Sequence, residues 1–187
     1  MWFSINFAYY GAFIWLPTLL VANGFSLVRS FGFTLLITLA QLPGYAAAAL
    51  LIERWGRRPT LAVFLLGSAA GAALFAGAGG ETAVLVTGMV LSFSNLGAWG
   101  ALYAVTPEVY PTPLRATGAG AAAGFGRIAS IAAPLSVPRL LEAGGTGLVF
   151  GTFAAFFLLG ALATWGLPEL RGKVLEDTPA AAGRAAP

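Results

Sequence analysis

The sequence predicts an all-α integral membrane protein, and three observations lead to this fold class. Of the 187 residues, 58% are hydrophobic and 9% are charged, and the mean hydropathy is +0.83. Soluble domains carry about 25% charged residues. Six long apolar windows follow one another along the chain, and the charges are concentrated between them. Three of the ten basic residues lie in one short segment, 53–60.

Each apolar window is predicted to form one membrane-spanning helix, because about 20 apolar residues are needed to cross a hydrocarbon core of about 30 Å. A β-barrel would instead show segments of about ten residues with alternating polarity. The predicted spans are 2–22, 30–52, 60–79, 83–106, 116–140 and 148–167. Residues 1–167 are therefore expected to form a six-helix bundle, the second half of a larger transporter, and residues 168–187 a cytoplasmic tail.

The basic residues predict the orientation of this bundle, because Lys and Arg are retained on the cytoplasmic side. If segment 53–60 is cytoplasmic, seven basic residues fall on the inside and two, Arg29 and Arg139, on the outside. The inside set is Arg54, Arg57, Arg58, Arg115, Arg171, Lys173 and Arg184. We expect a multi-pass protein of the cell inner (plasma) membrane, with the amino terminus outside and the carboxyl terminus in the cytoplasm.

Composition also excludes several kinds of function. The chain has no Cys and no His, so thiol catalysis, histidine acid/base chemistry and Cys/His zinc sites are excluded. It contains no P-loop, so it does not encode ATP-driven transport. The net charge of +3 comes mostly from arginines in the turns, which indicates topology rather than nucleic-acid binding. We expect no enzymatic activity, no cofactor and no metal.

Three motifs, in order along the chain, resemble the major facilitator superfamily. Residues 53–58, ERWGRR, are similar to its D/E-R-x-G-R-R/K loop, and residues 107–118, PEVYPTPLRATG, are similar to its P-E-x-[YF]-P-T-x-x-R-x-x-G segment. Residues 168–177, PELRGKVLED, resemble the P-E-T-[KR]-G-[KR]-x-L-E-E signature, with Leu170 in place of Thr. The resemblance implies helices seven to twelve of a twelve-helix transporter. The expected partners are a small-molecule substrate, the lipid bilayer, and either an amino-terminal six-helix half or a second copy of the chain.

Within the superfamily, four further segments resemble bacterial metabolite:proton symporters of the niacin-transporter type more than sugar porters. They are 9–17, 40–45, 95–100 and 126–129. The resemblance implies secondary transport of a small organic metabolite, such as the anion nicotinate, by alternating access. No glutamate lies at mid-span, since Glu53, Glu81, Glu108, Glu142 and Glu169 are near predicted span ends, so a coupling acid for protons would belong to the other half. The alternatives are a sugar porter and a membrane-embedded binding or scaffold fragment that does not transport.

Arg127 is the leading candidate for substrate binding, because it lies near the middle of its predicted span. A charge there costs at least about 2.5–3.5 kcal/mol and should face protein or a water-filled cavity. The alternative is a structural arginine that joins two helices. Small residues at a spacing of four, Gly67 with Gly71 and Gly120 with Gly124, predict close helix packing.

Four polar or aromatic residues of the fourth span are spaced by three or four and therefore share a helix face. They are Ser92, Asn95, Trp99 and Tyr103. Such a face can hydrogen-bond and stack a flat ligand, although simple helix packing explains any one of them equally well. The predicted substrate-binding set is Tyr10, Gln41, Asn95, Trp99 and Arg127.

The charged turns on the predicted cytoplasmic rim are candidates for a gate. In the family that the motifs resemble, these segments hold the outward-facing state together. The predicted gating residues are Glu53, Arg54, Gly56, Arg57, Arg58, Glu108, Arg115 and Glu169. The alternative is that the charges only set topology and form surface ion pairs of little energetic value.

Overall fold

The computed structural model describes residues 1–168, which contain helices and turns and no strand. The fold class predicted from the sequence is confirmed. Six α-helices follow one another, together with short 3₁₀ turns at Thr112–Leu114 and Thr164–Gly166. The helices are α1 (Trp2–Ala22), α2 (Leu27–Leu39), α3 (Gln41–Trp55), α4 (Arg57–Ala76), α5 (Glu81–Glu108) and α6 (Arg115–Ala163).

Helices α2 and α3 form one membrane crossing, broken only at Ala40. The cause is Pro43, which has no amide hydrogen to donate to the carbonyl of Leu39 and whose ring disfavours a continuous helix. Gly44 follows immediately, and a Cβ there would collide with the backbone carbonyl of Phe93 on α5. The break therefore lies one helical turn before a close approach of α3 to α5.

Helix α6 also consists of two crossings. The helical stretch Thr112–Gly166 has 55 residues, or roughly 80 Å at 1.5 Å per residue, which is far more than one bilayer core. Its helical geometry fails at Gly144 and Gly145, where Gly145 has φ +65°. Thr146 then donates a hydrogen bond to Asn23 at the end of α1, so the chain reverses at this turn. Residues 115–143 and 146–163 are the fifth and sixth crossings.

The number of crossings corrects one prediction. Six crossings return the chain to the face on which it began, and Met1, Tyr110 and Leu167 line the same small pocket. Two other residues that line it are joined directly, since the indole Nε1 of Trp2 donates to the hydroxyl of Thr106 at 3.0 Å. The expectation that the two ends of the bundle lie on opposite faces is therefore wrong. The count of basic residues assigned each turn to one of the two faces, and this assignment of the turns is unchanged. Because the number of spans is even, however, both ends of the bundle lie on the same face as segment 53–60.

Packing between helices depends on small residues, as predicted for one of the two glycine pairs. A Cβ at Gly67 would lie 2.7 Å from Ser94 Oγ, and a Cβ at Gly71 would lie 2.7 Å from the backbone of Leu91. The close approach of α4 and α5 is confirmed. The prediction for Gly120 and Gly124 is wrong within the described residues, because a Cβ added at either glycine would meet no neighbouring atom within 4 Å. Their helix face is open.

Candidate functional site

The positive charge of Arg127 lies close to the middle of the bundle. The residue is about 18 Å along α6 from Arg115, at 1.5 Å per residue. Its Nη1 donates to the hydroxyl of Tyr10 on α1 at 2.8 Å, and its guanidinium carbon lies 6.0 Å from the centre of the tyrosine ring. Within residues 1–168 no carboxylate forms an ion pair with it. Two of the predicted substrate-binding residues, Arg127 and Tyr10, are thus hydrogen-bonded directly to each other, and the partner of the arginine is neutral.

Tyr10 also lines a cavity of about 180 Å³ that is almost entirely aromatic. The lining residues are Tyr9, Tyr10, Tyr45, Leu96, Trp99 and Tyr103. They come from α1, α3 and α5, so three helices contribute to one surface. An engineered apolar cavity of about 150 Å³ accommodates benzene, so this space is large enough for one aromatic ring with a small substituent.

Trp99 is held in place by its aromatic neighbours. Its ring stacks on Tyr103, with centroids 5.6 Å apart and planes at 26°. Tyr9 and Trp2 approach it edge-on, with centroids 5.7 Å and 5.8 Å away. The indole Nε1 is buried and has no hydrogen-bond partner among the described residues. Trp99 therefore offers an oriented ring to the cavity.

Asn95 and Gln41 are not among the residues that line this cavity. Asn95 is fully buried, and neither of its side-chain polar atoms has a partner in the described part of the chain. Of the four residues predicted to share one face of α5, Trp99 and Tyr103 line the cavity and the other two do not. The physical reason is that α5 packs against α3 and α4 around much of its circumference, which turns Ser92 and Asn95 inward. Contact of Asn95 or Gln41 with a substrate stays a prediction.

An ion pair joins the turn between α3 and α4 to the carboxyl end of α5. Arg57 Nε donates to the two carboxylate oxygens of Glu108 at 3.1 and 3.0 Å, and its Nη2 donates to Glu108 Oε1 at 3.0 Å. Both side chains are mostly buried, 29% and 19% exposed. Two predicted gating residues therefore meet in the fork geometry that makes arginine–carboxylate pairs strong.

Two further gating candidates shape this rim. Gly56 joins α3 to α4 with φ +97° and ψ 174°, a conformation essentially restricted to glycine. Its carbonyl accepts a hydrogen bond from the Thr60 hydroxyl at 2.7 Å. Arg115 Nε donates to the carbonyl of Pro107 at 3.1 Å, in the last turn of α5, and this carbonyl also accepts a hydrogen bond from the Tyr110 amide at 3.4 Å. These contacts fix the backbone on both sides of the Arg57–Glu108 pair.

The remaining gating candidates differ in their surroundings. Glu53 and Arg54 are exposed, and within residues 1–168 neither takes part in an ion pair. The guanidinium of Arg58 lies 5.4 Å from the ring centre of Trp165. Glu169 lies outside the described residues. The rim contacts between elements of the described chain thus include Arg57 with Glu108 and Arg58 with Trp165.

Sequence reasoning missed several residues that contribute to these surfaces. Tyr45 lines the cavity, and its position four residues after Gln41 on a helix was the available signal. Tyr9, next to the predicted Tyr10, lines it as well. Trp15 donates to the carbonyl of Pro134 at 3.0 Å, a contact that no local pattern indicates.

The fold defines a polytopic α-helical membrane protein with a polar and aromatic cluster near the middle of its helical bundle. The family model described as "Sugar (and other) transporter" matches residues 1–182. The chain therefore belongs to that transporter family, and the resemblance to the major facilitator superfamily is confirmed.

Comparison with curated proteins identifies niacin transporters among the similar sequences. The chain is 46% identical over 178 residues to the putative niacin/nicotinamide transporter NiaP of Bacillus subtilis. The aligned region covers 95% of this chain and 44% of that protein. It is 48% identical over 179 residues to the niacin transporter NiaP of Acinetobacter baylyi, covering 95% of this chain and 41% of that protein. A synaptic vesicle 2-related protein of Rattus norvegicus is 29% identical over 200 residues, 95% of this chain and 36% of that protein. The chain spans less than half the length of these relatives.

Proposed function

We propose that this chain forms the second half of a secondary transporter that carries a small, flat organic anion across the membrane by alternating access. Nicotinate is the first substrate to test, because two similar proteins are named as niacin transporters. The observation that supports this most directly is Arg127 at mid-membrane, paired with a tyrosine hydroxyl beside an aromatic cavity.

The chemistry of Arg127 suits a carboxylate. A guanidinium binds a carboxylate through two parallel hydrogen bonds, which adds directional specificity to the charge interaction. Within the described residues Arg127 makes one hydrogen bond, from Nη1 to Tyr10, so its other donors are available for an anion. The rings of Tyr9, Tyr10, Trp99 and Tyr103 would stack on the flat part of the substrate.

The position of the site fits a binding surface shared by two halves of a transporter. Arg127 and Tyr103 are exposed in the chain alone, and the open face of α6 includes Gly120 and Gly124. Transporters of this kind bind substrate near the bilayer midplane at the interface of their repeats. We assign residues 1–167 to the six-span half, residues 168–187 to a cytoplasmic tail, and the other half of the site to a preceding six-helix segment or a second copy.

Orientation and gating follow from the same proposal. The rim that carries Arg54, Arg57 and Arg58 faces the cytoplasm by the positive-inside rule, and both ends of the bundle lie on that side of the cell inner membrane. The Arg57–Glu108 pair stabilises one of the two states, and rocking of the halves changes its surroundings.

The described glutamates lie at helix ends or in the turns, so proton coupling is assigned to an acid on the other half.

Uptake measurements test this function directly. The complete transporter that carries this chain, produced in cells lacking their own nicotinate uptake, should accumulate labelled nicotinate, and dissipation of the proton gradient should reduce the uptake. An excess of unlabelled nicotinate should compete, whereas an excess of glucose should not. Competition by glucose with no effect of nicotinate would favour the sugar porter alternative and contradict the proposal.

A further inference from the structure

Helices α1 and α6 are joined by a small buried polar cluster one helical turn away from the Arg127–Tyr10 pair. Asn6 is 1% exposed, and its Nδ2 donates to the carbonyl of Trp2 at 2.8 Å. Its Oδ1 accepts a hydrogen bond from the Ser130 hydroxyl at 2.8 Å. The two side chains thus connect the helices that carry Tyr10 and Arg127.

Gly126 sets how closely the two helices approach at this level. A Cβ at Gly126 would lie 2.7 Å from Asn6 Nδ2 and 3.2 Å from the backbone carbonyl of Trp2. A side chain there would push α1 and α6 apart or displace the Asn6 amide. The hydrogen bond between Ser130 and Asn6 holds the two helices together, and the absence of a side chain at Gly126 lets them approach this closely.

The register of the cluster links it to the candidate site. Asn6 is four residues before Tyr10 on α1, so the two residues share a face. Ser130 is three residues after Arg127 on α6, and Gly126 directly precedes Arg127. A change in helix separation at the cluster is therefore transmitted to the 2.8 Å bond between Tyr10 and Arg127 one turn away.

We propose that Asn6, Gly126 and Ser130 form a positioning clamp that fixes Arg127 against Tyr10 and so aims its guanidinium at the substrate's anionic group. The inference rests on the proposed function for its effect on substrate choice. None of the three residues lines the aromatic cavity, so the clamp acts through Arg127 and not by touching the substrate. Arginine has a long side chain with many rotamers, and a fixed partner lowers the entropy that it loses on binding an anion.

The test uses the purified complete transporter and begins without ligand. Tyr10→Phe removes the hydroxyl that Arg127 contacts, and Ser130→Ala removes the clamp's hydroxyl. If the clamp positions Arg127, the destabilisation caused by Tyr10→Phe should be smaller in the Ser130→Ala protein than in the wild type. Additive effects of the two changes on thermal stability would overturn the clamp, whatever the substrate.

The second arm measures affinities for nicotinate and nicotinamide, which differ in the anionic group. Ser130→Ala and Gly126→Ala should reduce the preference for nicotinate at least about threefold, the size expected for loss of one interhelical hydrogen bond. Ser130→Thr keeps the hydroxyl and should retain the preference. Ser136→Ala is the matched control, because among the described residues this half-buried serine of α6 bonds only to its own helix, at the carbonyl of Ala133.

The two arms separate failure of the clamp from failure of the proposed function. A wild-type protein that does not prefer nicotinate contradicts the proposed anion recognition, while a measured coupling between Tyr10 and Ser130 would still support the clamp. A wild-type preference that Ser130→Ala leaves unchanged would overturn the clamp's role in recognition. Equal losses in Ser130→Ala and Ser136→Ala would also overturn it, since they would reflect a general loss of packing.

Discussion

The contact between Trp15 and Pro134 makes a prediction that depends on the chemistry of a third residue, Pro138. In a continuous helix the amide of residue 138 would donate to the carbonyl of residue 134. Proline has no amide hydrogen, so Pro138 leaves this carbonyl without its helical partner. The indole Nε1 of Trp15, on α1, donates to it instead at 3.0 Å. A donor from another helix thus satisfies a group that the proline has freed.

The expected cost of Trp15→Phe follows from this geometry. Interhelical hydrogen bonds in membrane proteins contribute about 0.6 kcal/mol on average and about 1.7 kcal/mol at most. Leaving this partly buried carbonyl unpaired adds to that loss, so the change should lower the free energy of unfolding by about 1–2 kcal/mol. In a Pro138→Ala background the new amide can donate to the carbonyl of Pro134. There, Trp15→Phe should cost about 1 kcal/mol less.

The assay is a double-mutant cycle on the complete transporter, unfolded by denaturant in mixed micelles. Trp55→Phe is the matched control, because Trp55 is 48% exposed and its indole forms no hydrogen bond within residues 1–168. Its cost should be the same with Pro138 or Ala at that position. If Trp15→Phe costs the same in both backgrounds, the indole does not compensate for the missing amide of Pro138, and the reasoning is refuted.

The other predictions concern the rim and the topology. Arg57→Glu should reduce uptake about fivefold with the protein still in the membrane, because loss of a partly buried ion pair worth about 1 kcal/mol shifts the balance between states by that factor. Glu108→Arg in the same chain should restore part of the uptake. No recovery in this swapped variant would show that the ion pair is not responsible for the loss. In a cysteine-free transporter, Asn23→Cys should react with an impermeant thiol reagent in intact cells and Val109→Cys should react only after permeabilisation, since these exposed residues lie at opposite ends of the bundle. The reverse pattern would invert the proposed orientation.

Most of the fold could be predicted because membrane burial imposes a simple length rule on apolar sequence. The first span was predicted at 2–22 and is observed at Trp2–Ala22. Other bounds moved by a few residues, since helices continue past the hydrocarbon core into the rim, as α5 does to Glu108. The break at Ala40 could have been read from Pro43. The placement of the two ends required only counting the crossings.

The site was less predictable, because which face of a helix is open depends on its neighbours. Arg127 could be singled out from depth alone, but its partner Tyr10 lies 117 positions away in sequence. The spacing of Asn95 and Trp99 correctly placed both on one side of α5, yet packing buried Asn95 completely while Trp99 reached the cavity. The sequence periodicity shows which residues lie on the same side of a helix. The contacts between helices decide whether that side faces a neighbouring helix, a cavity or the outside of the bundle.

Binding of nicotinate and nicotinamide to Arg127→Lys tests the central claim most directly. Lysine keeps the positive charge and loses the two parallel donors that match a carboxylate. In calorimetry on the complete transporter, Arg127→Lys should weaken nicotinate binding about tenfold or more, the cost of roughly 1.4 kcal/mol or more, and should leave nicotinamide binding nearly unchanged. Equal weakening of both ligands, or of neither, would show that Arg127 serves only to join α1 and α6.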